Sequence, residues 1–454
     1  MSTVADEAKR LNRKRWSWYL YDFGNSAYAA VVLLAVYSAY FKGQVVGGKE
    51  GTRLWGLSVG IAMLVVALIS PVLGAVADHS NSKKRFLLAS TSVAVVFTAL
   101  LFFVTPGKIA IGMLFFILAE VGYRAGQVFY DSLLPEIADE GDMGRVSGLG
   151  WAIGSAGGVL CLLIILPLIM IFKGAMMVRL AFVITAVYYA LSTLPLIFML
   201  KEQGTATPLP AGENYLTLGL GRLLKTMRAI RSHTEFVKFL VSFLIYNNGV
   251  MIAMNFASII GAVLFGMNQT ELIIFVIVVQ LTNVAVAFLL GHLVDRLGGK
   301  RALAISIGLM VVAVLLMFVA TSKLFFFGIG ALAGFAMAGI QSVSRTMGGI
   351  LAPPDQSAEF YGFYSVAAQA SSFIGPTLYG ALAYRAARWY QNVHGLGELA
   401  AEQAGQRVAI LSMAVFLLAG VVVLTSVNEN RARQALRLAL KARKAAQPAS
   451  GSGV

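Results

Sequence analysis

The sequence contains one cysteine and four histidines among 454 residues. The single cysteine, Cys161, excludes an intramolecular disulfide, and the scattered histidines do not have the spacing of a metal site. No glycine-rich phosphate loop with its lysine, serine elbow or haem attachment motif occurs. We therefore expect no metal, no cofactor and no enzymatic activity.

Charged residues are also scarce, at 13% of the chain, whereas hydrophobic residues make up 58%. A soluble chain of this length needs many more charges to cover its surface. Apolar runs of about 20 residues, the length that crosses ~30 Å of hydrocarbon, recur from end to end. The sequence therefore predicts an all-α membrane protein with twelve spans.

Acidic residues are fewer than basic ones, 21 against 36, which gives a net charge of +15. In a membrane protein, lysine and arginine concentrate in cytoplasmic loops, so this excess does not indicate nucleic-acid binding. The larger basic clusters fall at the two chain ends, in the middle of the chain and between some of the spans. We expect both termini in the cytoplasm, a bacterial inner (plasma) membrane location and a monomer.

The apolar runs divide the chain into five segments. Residues 1–15 form a basic cytoplasmic head, 16–200 a first six-helix bundle and 236–427 a second six-helix bundle. Between the bundles, 201–235 reads as an amphipathic linker on the cytoplasmic membrane surface. The basic tail 428–454 is predicted to lie against anionic lipids.

The two halves repeat a short motif. Each half has a glycine and an aspartate four residues apart at the end of its second span, followed by basic residues. These residues are Gly74, Asp78 and Arg85 in the first half, and Gly291, Asp295 and Arg301 in the second. Parallel six-span repeats are typical of transporters that rock two halves around a central site. We predict that the six residues form a conformational gate, because the acid can exchange partners as the halves tilt.

These motifs, GAVADHSNSKKR and GHLVDRLGGKR, resemble those of the major facilitator superfamily over essentially the whole chain. Arg124 and Gln127 resemble part of a second family motif, with Val128 where a glycine is usual. Four segments are similar to the vacuole-effluxer-like branch: YLYDFGNSAYAAVV, GQVFYDSLLPEIAD, RVSGLGWAIGSAGG and EFYGFYSVAAQASSFIGPTLYG. That branch includes autophagy-related fungal proteins that release amino acids from the vacuole, and bacterial relatives. The resemblance implies a secondary transporter.

In that fold the first span of each triplet lines the central cavity, and strong polar residues lie on those spans here. A carboxylate at membrane depth is costly unless it faces a protein interior or a water-filled cavity. We predict Asp22 or Glu120 as the proton-coupling acid and Arg124 as its partner. The predicted solute contacts are Asn25, Arg124, Gln127, Tyr246, Asn247, Asn248, Gln341 and Tyr364.

Both groups of residues have a structural alternative. An acid and Arg124 form either a coupling pair that breaks and re-forms or a permanent ion pair between spans one and four. The amides serve either solute binding or hydrogen bonding between helices, which modestly stabilises membrane bundles. The sequence leaves both alternatives open.

The favoured function is outward, proton-coupled transport of a small polar organic solute, most simply an amino acid, by alternating access. A rival within transport is export of amphipathic compounds or drugs. It predicts an apolar cavity in which Tyr246 and Tyr364 matter more than Asn247 and Asn248. A rival from another class is a membrane scaffold or sensor, for which intramembrane Asp22 and its partners have little use.

Overall fold

The structure is a computed structural model that describes the backbone of residues 2–79, 82–134, 137–138, 143–172, 174–200, 214, 217, 221, 233–351, 357–429 and 431. Side chains are described at those positions except 2–5, 7–8, 70–71, 74–79, 143–145, 147, 286–297, 349–350, 357–363 and 365–366. The predicted linker 201–235 and tail 428–454 therefore lie largely outside the described residues. The side chains of Gly74, Asp78, Gly291 and Asp295 also lie outside them.

Helices, all of them long except α2, make up most of the described part of the first half. They are α1 (Ser2–Tyr28), α2 (Tyr37–Tyr40), α3 (Gly48–His79), α4 (Lys83–Leu100), α5 (Ile109–Ser132), α6 (Met143–Ile171) and α7 (Ala175–Met199). Two π-helical stretches, Ala29–Ala35 and Phe41–Val46, continue α1 through α2 toward α3. The first helix begins at Ser2 and includes most of the predicted polar head, so the first span is an extension of that head.

The second half has the same character. Its helices are α8 (Thr234–Phe265), α9 (Gln269–Leu297), α10 (Gly299–Val319), α11 (Lys323–Leu351), α12 (Ser357–His394) and α13 (Glu398–Thr425). Gly266 ends α8 in the left-handed conformation, with φ 60° and ψ 33°, which a glycine adopts without steric cost. Glycine in this position allows the tight connection to α9.

Within the part of the chain that the structure describes, ten helical stretches are long and apolar enough to cross a membrane, by length and composition. They include the combined stretch Lys9–Val46 and every longer helix named above except α9 and α12. Helix α9 contributes a shorter apolar part, Gln269–Ala285. The prediction of an all-helical, multi-pass membrane protein is confirmed at this level.

The helices of each half pack in matching pairs. In the first half α1 packs against α6 and α7, and α5 packs against α3 and α4. In the second half α8 packs against α12 and α13, and α11 packs against α9 and α10. Between the halves, α3 packs against α12 and α6 against α9. The end of the molecule that carries the start of α1 and the end of α13 is termed the proximal end, and the opposite end the distal end.

Glycines on α6 allow α1 to approach closely. A Cβ atom at Gly150 would lie 2.3 Å from the Trp18 ring, and one at Gly157 would lie 2.2 Å from the Phe23 carbonyl oxygen. Small residues at such positions are typical of helix packing in membranes, where close contact replaces the hydrophobic effect as the attractive force.

Candidate functional site

A buried ion pair lies on α5, near the middle of the first half. Arg124 Nε donates to Glu120 Oε1 at 2.8 Å, one helical turn away. The Glu120 side chain is fully buried, whereas 26% of the Arg124 side chain is exposed. The guanidinium also donates to Gln127 Oε1 at 3.4 Å and lies 5.1 Å from the centre of the Tyr123 ring. Arg124 is thus held on three sides and presents its remaining surface to solvent.

The other oxygen of Glu120 has a different environment. The Tyr28 hydroxyl lies beside Glu120, yet neither this hydroxyl nor Glu120 Oε2 has a well-aligned hydrogen bond among the described residues. A buried polar atom without a partner is costly. A proton on the carboxylate, or a donor group of a solute, would satisfy it.

Asp22 does not pair with Arg124. Its Oδ1 accepts a long hydrogen bond from Asn25 Nδ2, at 3.5 Å. Its Oδ2 lies against α6, where a Cβ atom at Gly154 would be only 2.2 Å away. The structure therefore selects Glu120, of the two predicted acids, as the partner of Arg124. Both members of the ion pair lie on span four, because a glutamate four residues from an arginine is on the same helix face and within its reach. The pair therefore does not join spans one and four.

Asn25 lies inside the first half and is 1% exposed. Tyr189 donates to Asn25 Oδ1 at 2.8 Å, and the Tyr189 and Tyr21 hydroxyls are hydrogen-bonded at 2.9 Å. Tyr21 is in turn hydrogen-bonded to Thr91 at 2.9 Å. This network joins α1, α4 and α7, so the position of Asn25 favours the structural alternative.

The polar residues predicted on span seven are buried as well. Asn247 Nδ2 donates to Ser371 Oγ on α12 at 2.6 Å, and Asn248 Nδ2 donates to the Leu244 carbonyl at 2.6 Å. The Tyr246 hydroxyl is hydrogen-bonded to Ser344 on α11 at 2.6 Å. Asn247 and Tyr246 thus hold α8 against α12 and α11, whereas the Asn248 bond lies within α8.

Gln341 and Tyr364 are half-buried. Gln341 Nε2 lies 3.9 Å from the Met254 sulfur. The Tyr364 ring stacks on Phe243, with centroids 4.3 Å apart. These two residues retain accessible surface, unlike Asn247 and Tyr246.

An apolar pocket lies beside Gln341 among helices of the second half. The export alternative predicts an apolar cavity, but none of the residues that line this pocket was among the predicted site residues. Its empty volume is about 710 Å³, open solvent included. Its walls contain methionine, phenylalanine and aliphatic side chains, with Gln280 as the polar lining residue and Leu34 contributed by the first half. The methionines and phenylalanines are Met254, Met310, Met317, Met337, Phe275 and Phe326. Met310 and Met317 are seven residues apart, so they lie on one face of a helix. This spacing is the feature of the sequence that could have indicated a shared apolar wall.

Two opposite charges lie on different halves near the proximal end. Asp131 near the end of α5 and Arg345 on α11 are both exposed and interact electrostatically. Asp131 also repels Asp22. The acid on one half thus faces the base on the other across the proximal side of the molecule.

The basic residues of the repeated motif take two roles. Arg85 and Arg301 are exposed. The lysine before each is buried in part and caps a helix end: Lys84 Nζ donates to the Ile197 and Leu200 carbonyls at 2.6 and 2.8 Å. In the second half, Lys300 Nζ donates to the carbonyls of Thr425 and Val427, at 2.6 and 2.7 Å. Basic groups at helix C-termini stabilise the free carbonyls there.

Among the described side chains, no group of three His, Cys, Asp or Glu residues is placed to hold a metal ion. These residues offer ionic and hydrogen-bonding recognition, with an apolar wall nearby. Two packed helical bundles with charged residues inside are the arrangement of a membrane transporter.

Solved structures support that class. A bacterial homologue of the human lysosomal transporter Spinster, in an inward-facing and unoccupied conformation, superposes with a TM-score of 0.69. It is 16% identical, and the match covers 96% of this chain and 98% of that one. A variant of the nucleoside transporter NupG gives 0.67 at 14% identity, covering 92% and 99% of the two chains. The chain therefore has the same fold as these two transporters.

Sequence relatives give the family. An MFS-type transporter, YxiO of Bacillus subtilis, is 28% identical, over 93% of this chain and 96% of its own length. Autophagy-related protein 22 of Yarrowia lipolytica is 23% identical, over 72% and 70%. Residues 54–437 match the family described as vacuole effluxer Atg22 like, and the chain belongs to it. The predicted family and the predicted transporter class are therefore confirmed.

Proposed function

We propose that this chain is a twelve-span secondary transporter that exports a small polar organic solute, an amino acid first, in exchange for protons. The observation that carries the proposal is the buried Glu120–Arg124 pair, in which the Tyr28 hydroxyl lies beside Glu120 but Glu120 Oε2 has no well-aligned hydrogen bond among the described residues. A permanent structural pair gains little from an unsatisfied oxygen, whereas a coupling acid needs a place for its proton.

Exchange follows from competition at one carboxylate. A proton and the ammonium group of an amino acid cannot occupy Glu120 Oε2 together, so binding of one disfavours the other. Arg124, which is partly exposed beside it, is placed to bind the solute carboxylate. Release of the solute on one side of the membrane and of the proton on the other then gives proton-for-solute exchange.

Alternating access is supported by the difference between the two ends. The exposed Asp131 and Arg345 lie toward the proximal end, whereas buried polar contacts join the halves toward the distal end. We take this as the state that is open toward the proximal side. The repeated residues Gly74, Asp78, Arg85, Gly291, Asp295 and Arg301 remain the predicted proximal gate.

Export of amphipathic compounds is a second candidate, which the apolar pocket specifically favours. The pocket wall is built from methionine and aromatic side chains, which adapt to varied apolar groups. The amides Asn247 and Asn248, which the polar-solute hypothesis assigned to binding, are engaged within their own half. Such a solute would place its charged group near Arg124 and its apolar group in the pocket.

The test is counterflow into proteoliposomes, with labelled amino acids screened with and without a proton gradient. Movement of one amino acid, stimulated by the gradient, supports the proposal. If no amino acid moves while labelled amphipathic cations and anions do, the second candidate replaces it. If folded protein moves none of these, the scaffold or sensor interpretation gains support.

We further propose that both termini lie in the cytoplasm of a bacterial cell, that the protein sits in the inner membrane as a monomer, and that its basic segments contact anionic lipids. The positive-inside rule supports the orientation. Protease digestion of a C-terminal tag in inside-out and right-side-out vesicles tests it, since the tag should be cut in inside-out vesicles alone.

A further inference from the structure

Buried polar contacts join the two halves toward the distal end. Lys42 Nζ lies 2.6 Å from Glu402 Oε1, and their side chains are 10% and 6% exposed. Gln406 Nε2 donates to Thr52 Oγ1 at 2.9 Å, and Tyr379 donates to Gln406 Oε1 at 2.6 Å. Lys42 and Thr52 belong to the first half, and Glu402 and Gln406 to α13 of the second. These four residues are termed the distal seal.

Beside the distal seal, α3 and α12 meet backbone to backbone. A Cβ atom at Gly56 would lie 2.5 Å from the Pro376 carbonyl oxygen, and one at Gly60 would lie 2.1 Å from Thr377 Oγ1. The backbone carbonyl leaves no room for a side chain at Gly56, whereas the atom that lies against Gly60 is a side-chain hydroxyl. The halves therefore separate here only if both the helix contact and the polar contacts open together.

The first span is distorted where it crosses this region. Its hydrogen bonding changes from a five-residue step, Val36 N to Val31 O at 2.8 Å, to a four-residue step, Tyr40 N to Val36 O at 3.0 Å. The carbonyls just before this change are held by the second half: Ser258 Oγ donates to Leu34 O, and Gln269 Nε2 donates to Ala35 O at 2.8 Å. Short π-helical stretches are frequent at functional sites because they free backbone groups for other partners.

The same stretch reaches the apolar pocket. Leu34 lines the pocket, and its carbonyl accepts a hydrogen bond from Ser258. One residue therefore contacts both the pocket and α8. We expect a solute that displaces Leu34 to disturb the hydrogen bond.

We propose that the distal seal is the outer gate of the transporter, and that the contacts of Ser258 and Gln269 with the first span form a latch that links the pocket to this gate. Opening breaks both sets of contacts and lets the first span return to regular α-helical hydrogen bonding. The inference rests on the proposed alternating access, while the latch itself is observable without any solute.

Polar contacts suit a gate better than an apolar seam. The free energy of a buried ion pair is close to that of the same charges in water, because the cost of desolvation offsets much of the attraction. When the halves part, water replaces each partner, so closed and open states remain within a few kcal/mol of each other, as a population shift requires. An apolar interface of the same area would favour the closed state alone.

The first experiment locks the seal. In a Cys161→Ala background, Gly60→Cys with Thr377→Cys places two Cβ atoms about 3.4 Å apart, by the Gly60 geometry, close to the disulfide range of about 3.5–4.5 Å. Oxidation is expected to reduce transport at least about tenfold, and reduction to restore it. Each single cysteine variant, treated alike, is the control. A disulfide that forms fully without slowing transport overturns the proposal.

The second experiment measures opening without solute. The single variant Thr377→Cys, again in Cys161→Ala, is labelled from the distal side with a membrane-impermeant maleimide. Adding Ser258→Ala with Gln269→Leu should raise the labelling rate about tenfold, since the latch donors are lost. Ser92→Ala, which removes a serine hydroxyl bonded to Leu88 within α4, is the matched control. Unchanged labelling in the latch variant contradicts the latch even if transport is never detected.

Reversing the charges of the Lys42–Glu402 ion pair tests the gate and also controls for misfolding. Lys42→Glu alone should disturb the seal and raise labelling, whereas Lys42→Glu with Glu402→Lys should return labelling toward the starting rate. Rescue by the reversed pair shows that the charges act across the interface. If the reversed pair labels as fast as the single variant, the ion pair does not hold the gate.

Discussion

The two halves share a helix arrangement and differ in what they place inside. The first half buries an ion pair, Glu120 with Arg124, and holds a second acid, Asp22, against α6. The second half surrounds an apolar pocket with methionine and phenylalanine and engages the Asn247 amide internally, with Ser371. The repeat therefore preserves the frame, while the chemistry of recognition is divided between charge on one side and apolar surface on the other.

This division explains why the halves are alike at their edges and different at their centres. The caps made by Lys84 and Lys300 are equivalent in position and geometry. Caps serve the folding of each bundle, which both halves need. Recognition needs unlike groups facing each other, so the central residues differ.

The largest expected effect is at Arg124. Arg124→Ala leaves Glu120 buried without its cation, which costs about 3–5 kcal/mol in comparable buried pairs. We expect initial counterflow to fall about a hundredfold or more. Arg385→Ala, on α12 of the second half, removes an exposed arginine and is the matched control. Equal losses in both variants would break the distinction between the halves.

The next effect separates the two acids. Glu120→Gln mimics the protonated acid, so solute–solute exchange should persist while accumulation driven by a proton gradient falls about tenfold. Asp22→Asn should retain gradient-driven accumulation, because Asp22 faces Gly154 and lacks the arginine. Accumulation at several pH values measures both. If Asp22→Asn alone uncouples transport, the coupling acid lies on span one.

A third prediction concerns the pocket. Ala333→Phe fills part of it and should raise the KM severalfold for a solute with a large apolar group, with little change for a small one, since each lost methylene contact contributes about 0.8 kcal/mol. Val422→Phe adds the same ring at a residue 68% exposed on α13 and is the control. Equal effects on large and small solutes would show that the pocket does not contact the solute.

Smaller effects are expected at the buried amides. Asn25→Leu and Asn247→Leu each remove hydrogen bonds within one half, and such bonds between membrane helices contribute about 0.6 kcal/mol on average. We expect a lowered melting temperature with an unchanged KM for both. A raised KM at normal stability would return Asn25 or Asn247 to the solute site.

The smallest difference between halves is expected at the lysine caps. Lys84→Met and Lys300→Met each remove hydrogen bonds to two terminal carbonyls and should lower stability by similar amounts, about 1 kcal/mol each. Thermal unfolding in detergent is the measurement. A much larger loss in one half would show that the repeat is not equivalent at its caps.

Much of the architecture was accessible from the sequence. Apolar runs, helix periodicity and the repeated GxxxD segments depend on residues near each other in the chain, so they predicted an all-helical membrane transporter of this family. The common face of Glu120, Arg124 and Gln127 was also predictable, because positions four and three residues apart on a helix are neighbours.

The remaining features required the tertiary structure. Whether an amide such as Asn248 faces a cavity or a neighbouring helix depends on the rotation of α8 against α12, which no local pattern specifies. The apolar pocket joins side chains from residue 34 to residue 337, and the distal seal joins Lys42 to Glu402. The sequence by itself determined the helices, the membrane and the family because those follow from local periodicity and composition. Only the packing of distant helices decided that Asp22 lies against α6, which amides are internal and where the halves close, because each of these depends on residues far apart in the chain or on a choice between helix faces.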